Sequence, residues 1–281
     1  MENKLSMLKV HIAVVLFSLA GLFGKWIELP PSFIAWGRCI FAFVALFLLI
    51  LLTKNSFSLK RKSHYTFLVL SGILLAIHWW AFFLSIQMSS VATGLLAFAT
   101  FPVLTVFLEP IFFDEKIEQR YIVAAMVTFC GAVCIAPEFD LNNSTTAGAI
   151  IGLLSGLSFS LLQLLNRKFV QIYPSRLITF YQTGFASISL IPVISYTHSN
   201  ITTNNIVLLI VLGVLCTAIA HSLFISRLRY VKVRLASIIA GLEPVYGIVF
   251  AMLFLNEIPS LREICGGIVI LTAATMVSMK K

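Results

Sequence analysis

The chain has 281 residues, of which 59% are hydrophobic and only 11% charged, with a mean hydropathy of +1.00. Soluble domains carry roughly 25% charged residues, so a water-soluble globule is excluded, and continuously apolar runs exclude the alternating pattern of a β-barrel. The net charge of +9 does not point to nucleic acid, because the cations sit in short loops between apolar runs and no soluble module is present to enter a groove.

Ten apolar runs are each long enough to cross a hydrocarbon core of about 30 Å. They lie at residues 8–26, 31–53, 65–86, 91–113, 119–136, 147–166, 175–196, 205–226, 234–255 and 261–279. Turn signals separate them: Pro30-Pro31, Lys54-Asn55-Ser56, Asp114-Glu115-Lys116, Pro137 to Thr146, Tyr173-Pro174 and His198 to Asn205. Runs three and four are joined only by Gln87 to Ser90, which requires a tight antiparallel hairpin. The first run follows a short basic start, and no A-x-A-like cleavage site follows it, so it reads as a retained span rather than a signal peptide.

Basic residues orient the chain. With the N-terminus in the cytoplasm, all Lys and Arg fall on the cytoplasmic side except Lys25 and Arg262 in outer loops and Arg38 within span two. Both termini are therefore expected in the cytoplasm. The five cysteines, Cys39, Cys130, Cys134, Cys216 and Cys265, all lie in apolar runs and read as small buried residues. Cys130 and Cys134 have helical i, i+4 spacing but no histidine or second pair to complete a zinc set.

The chain repeats. A shift of 142 residues lays Phe101–Glu115 on Glu243–Glu257, matching Pro102 with Pro244, Val103 with Val245, Phe112 with Phe254 and Glu115 with Glu257. Upstream, Ala76-Ile77 falls on Ala218-Ile219 and Phe82 on Phe224. Residues 1–140 and 141–281 are thus expected to be two five-span units. Five is odd, so the second enters the membrane from the opposite side, the arrangement that many secondary transporters use to build alternating access around a midplane site.

The stretch Ala240–Glu257 combines an acid, Glu243, with the helix-breaking Pro244. Irregular backbone at membrane depth is tolerated where it is buried or lines a water-filled cavity, and an intramembrane acid marks a functional site by default. A packing kink with Glu243 bonded to a neighbouring helix is the plain alternative. Pro102 marks the corresponding break in the first unit.

The paired hairpins Ala92–Glu115 and Leu235–Glu257, with the ten spans and five-plus-five repeat, resemble the EamA family of the drug/metabolite transporter superfamily. The resemblance covers essentially the whole chain. It implies an all-α membrane bundle around a central cavity and gradient-linked movement of small metabolites, often amino acids, usually outward across a bacterial inner membrane. Family members often end the fourth and ninth spans with Gly-Glu, where Asp114-Glu115 and Asn256-Glu257 stand here.

Several residues are candidates for substrate binding or coupling. Arg38 could hold a carboxylate in its planar fork or pair with an acid. His78 could exchange a proton, and Trp79 and Trp80 could hold a cation or ring, or all three could form an interfacial belt. His221 lies toward the cytoplasmic end of span eight, near the headgroups. Tyr246 and Tyr181 are expected to line a cavity, and Gln163 and Asn166 to bond substrate or helices. Glu109, Glu115 and Glu257 read as structural, and Gly148, Gly152 and Gly156 as a small face for close helix packing.

H-E-x-x-H, G-x-x-x-x-G-K-[ST] and G-x-S-x-G are all missing from the sequence, so an enzyme is not expected, nor a cofactor or metal. The expected partners are a small-molecule substrate, membrane lipid and protons, in a monomer or homodimer. The alternatives are a passive facilitator of the same fold and a non-transporting membrane scaffold.

Overall fold

The computed structural model describes residues 2–113, 119–135, 140, 142–197, 199–230, 236 and 240–278. All regular structure among them is helical. The elements are α1 (Glu2–Trp26), α2 (Pro31–Leu52), α3 (Ser63–Met88), α4 (Val91–Phe98), α5 (Phe101–Phe113), α6 (Gln119–Ile135), α7 (Ser144–Phe169), α8 (Ser175–Ser195), α9 (Thr203–Gly213), a π-helical segment (Val214–Ile219), α10 (Ala220–Arg227), α11 (Glu243–Leu255) and α12 (Leu261–Ser278). Seven spans are long and apolar enough to cross a bilayer outright, with α4 and α5 forming one of them and α9 to α10 another. Much of the first half of span nine, and Asp114, Glu115 and Lys116, lie outside the described residues.

The repeat is written into the helix boundaries. The 142-residue shift carries Glu2 of α1 onto Ser144 of α7, Gln119 of α6 onto Leu261 of α12, and both ends of α5 onto both ends of α11. Packing repeats as well. Contacts of α1 with α11 mirror those of α7 with α5, α1 with α10 mirrors α7 with α3, and α2–α8 and α6–α12 pair across the pseudo-two-fold axis. The fold is a ten-helix membrane bundle built as two five-helix repeats of opposite sense around a central site.

The sequence accounts for the local endings. Pro31 opens α2, where no intrahelical N–H is owed. Ser90 caps α4 by accepting from Thr93 N–H, and Asn143 caps α7 by accepting from Thr145 and Thr146 N–H. Asn256 closes α11 in the left-handed conformation. The small face of α7 is a packing face: a Cβ on Gly152 would stand 2.6 Å from the Ala97 Cβ.

The structure gives the helix breaks expected at Pro102 and Pro244 a definite form, and it corrects the expectation that all five cysteines are buried. The chain breaks at Ala99–Thr100 and Gly241–Leu242, and Pro102 and Pro244 then occupy the second position of new helices, where their missing N–H costs nothing. The cysteines divide: Cys39 and Cys216 are buried, but Cys130, Cys134 and Cys265 are exposed on the outside of the bundle. Composition does not distinguish a residue buried in protein from one facing lipid, since both environments are apolar.

Candidate functional site

Both breaks face the middle of the bundle. Around them Phe17 and Ala20 of α1, Arg38 of α2, His78, Trp79 and Phe82 of α3, Phe98 of α4, Phe159 of α7, His221 of α10 and Glu243 of α11 enclose a space of about 20 Å³, enough for about one water. The central cavity expected from the sequence is therefore nearly closed in this state.

Arg38 is only 2% exposed. Its Nε donates to Thr217 Oγ1 at 3.0 Å and its Nη2 to the Cys216 carbonyl at 3.3 Å. Both acceptors belong to the π segment. Widening the helical turn there leaves carbonyls without the usual i→i−4 partner, and a π-bulge at a functional site is a recurrent device. Thr217 Oγ1 in turn donates to Leu212 O at 3.0 Å. The guanidinium lies 3.9 Å from the centre of the Trp79 ring, a cation–π contact strengthened by the burial of both side chains. Together these contacts meet the cost of a cation held away from solvent.

Glu243 is the first residue of α11, in the positive field of a helix N-terminus. Its carboxyl group accepts no hydrogen bond among the described residues, and its charge and that of Arg38 attract. His78 Nδ1 is 2.8 Å from Ser155 Oγ, which donates to the His78 carbonyl at 3.1 Å. With that hydroxyl proton committed, Nδ1–H is the donor and Nε2 the acceptor. His221 meets Trp79 edge-on at 5.9 Å, and its Nε2 has no hydrogen-bond partner.

Arg38, His78, Trp79, His221 and Glu243 thus come together, whereas Trp80 and Tyr246 do not line the cavity and pack half-buried against the core. Tyr181 is also outside it, donating to the Phe57 carbonyl. His221 is 1% exposed, not at the headgroups. Depth counted along the sequence ignores which face the side chain takes, and this face turns inward beside the π segment. Glu109 is buried and ion-paired to Arg167 at 2.5 Å. Glu257 accepts from Val91 N–H. Asn166 accepts from Gln182 at 2.6 Å, while both amide atoms of Gln163 lack partners.

Two serines went unnoticed in the sequence. Ser18 donates to the carbonyl of Glu243 at 3.0 Å, and Ser160 donates to that of Phe101 at 2.9 Å. The 142-residue shift relates Ser18 to Ser160 and Glu243 to Phe101, so each broken helix is tethered at its first residue in the same way. Extending the repeat alignment upstream to α1 would have found them. Among the described residues no group of three or more His, Cys, Asp or Glu could hold a metal.

A ten-span bundle of inverted repeats with charged groups at a mid-membrane break defines a polytopic membrane protein of transporter architecture. The chain belongs to the EamA-like transporter family, whose description matches residues 4–136 and again 146–279. It is 26% identical to "Uncharacterized transporter YxxF" of Bacillus subtilis (strain 168) over 290 residues, covering 100% of this chain and 91% of that one. It is 29% identical over 188 residues to an "Uncharacterized transporter" of Archaeoglobus fulgidus, covering 66% and 67% of the two chains. A solved protein crystal structure, 16% identical, shares the fold with a TM-score of 0.71 over 97% of this chain and 96% of that one.

Proposed function

We propose that this protein is a proton-coupled secondary transporter that exports a small zwitterionic metabolite of the amino-acid class by alternating access. It acts in a bacterial inner membrane with both termini cytoplasmic, the side to which the basic loops assign them. The observation that carries this reading is that Arg38 and Glu243 line one small, nearly closed space beside a helix break. Arg38 offers its fork to a carboxylate. Glu243 offers a site for an ammonium group or for a proton, and exchanging one for the other links the two movements. His78 and His221 present ring nitrogens for the remaining polar groups, and Trp79 holds the guanidinium in place. The closed volume implies that substrate enters only when the repeats rock apart.

The test is counterflow and pH-gradient-driven uptake of amino acids in proteoliposomes. Wild type should accumulate its substrate against a gradient. Glu243→Gln should still exchange substrate but no longer accumulate it. Full gradient-driven accumulation by Glu243→Gln would remove this residue from coupling, and flux indifferent to the gradient in wild type would make the protein a facilitator.

A further inference from the structure

The basic end of the bundle carries a concavity that central transport does not use. A groove of about 510 Å³ runs between α2, the π segment and α10, with Leu46, Leu49, Ala218 and Ile219 in its wall and Lys9, Arg176 and Arg227 at its rim. It adjoins a second space of about 270 Å³ that includes Asn55, Ser56 and Arg229. Ser175, Arg176, Ser226 and Arg227 line both. Ser222, 9% exposed and with no hydrogen-bond partner for its hydroxyl, stands in the groove wall.

We propose that this paired space is a binding site for an anionic glycerophospholipid, its phosphate held where the two spaces meet, beside Arg176 and within reach of the groove-rim Lys9, and an acyl chain lying in the groove. Charge asymmetry across the membrane explains why cations gather at this end. It does not explain why they rim a concave surface whose other wall is aliphatic. Lys9 and Arg176 form no ion pair among the described residues, so their charge is available to a phosphate. The groove also lies beside residues that face lipid, with Leu48 50% and Leu215 43% exposed. A soluble anion would gain nothing from the aliphatic wall, whereas an amphiphile uses both parts. Basic pockets between membrane helices bind anionic headgroups by this combination. The site shares no lining residue with the Arg38–Glu243 cavity, so its lipid is independent of the solute that crosses there.

The test is native mass spectrometry of the full chain in detergent, titrated with dioleoyl-phosphatidylglycerol or dioleoyl-phosphatidylcholine. The glycerol lipid should be retained preferentially. Removing two cations in Lys9→Gln/Arg176→Gln should lower its retention by about 25-fold, since each contributes roughly a fivefold factor. Leu49→Trp, which fills the groove without changing charge, should lower retention of the glycerol lipid too, and decides the matter if the double variant does not fold. Equal retention of both lipids by wild type, or undiminished retention in the folded variants, would overturn the proposal. So would displacement of the glycerol lipid by an equal concentration of inorganic phosphate, which would assign the site to a soluble anion.

Discussion

The two break points are copies of one scaffold with opposite chemistry. In the first repeat Phe101 begins α5, stacks on Phe98 at 4.9 Å and meets Phe159 at 5.0 Å. In the second, the equivalent position is Glu243, facing Arg38 and His221 across the cavity. Phe159 corresponds to Phe17, Trp79 to His221, and the tethering serines to each other. Duplication supplied the geometry twice, and only one copy carries charge. One break is thus packed with aromatic rings and the other carries an acid beside the cavity. An acid in both would place two like charges in the same small space and raise the cost of desolvation.

The largest test of that division is Glu243→Gln, expected to abolish accumulation while leaving thermal unfolding in detergent close to wild type. Phe101→Ala should do the reverse. It removes a fully buried ring and should destabilise by about 3–5 kcal/mol, read as a lower unfolding midpoint, while folded protein remains coupled. Arg38→Lys keeps the charge but loses the fork that reaches both Cys216 and Thr217. Substrate affinity should fall by roughly 1.5–3 kcal/mol for the charged hydrogen bond lost, measured by isothermal titration. Ser18→Ala and Ser160→Ala should each cost about 1 kcal/mol or less, and equal losses would confirm that the tethers are equivalent. The smallest effect concerns the ends of the bundle. Lys25 and Arg167 are repeat mates: Lys25 Nζ donates to the Ser89 carbonyl, and Arg167 pairs with Glu109. Lys25→Gln should shift side-specific labelling of an introduced cysteine by a few-fold, worth about 0.5–1 kcal/mol, whereas Arg167→Gln takes a cation from the buried Glu109 and should in addition lower the unfolding midpoint.

The fold was legible because apolar length and turn residues are local signals, and because Pro102 and Pro244 fix the repeat register without a gap. Much of the site was legible for a different reason: Arg38 and Glu243 are charges inside apolar runs, and such positions demand an explanation. The inward turn of His221 was not legible. Neither was the exclusion of Trp80 and Tyr246 from the cavity, because helix rotation depends on packing and on the π segment, which no local residue pattern announced. The lipid-facing cysteines failed for the same reason, since bilayer and protein core favour similar side chains.

The space between Arg38 and Glu243 has room for about one water. A file of hydrogen-bonded water crossing from face to face would conduct protons, and a room this small interrupts it. Liposomes carrying the protein without substrate should therefore hold an imposed pH gradient as long as empty ones do.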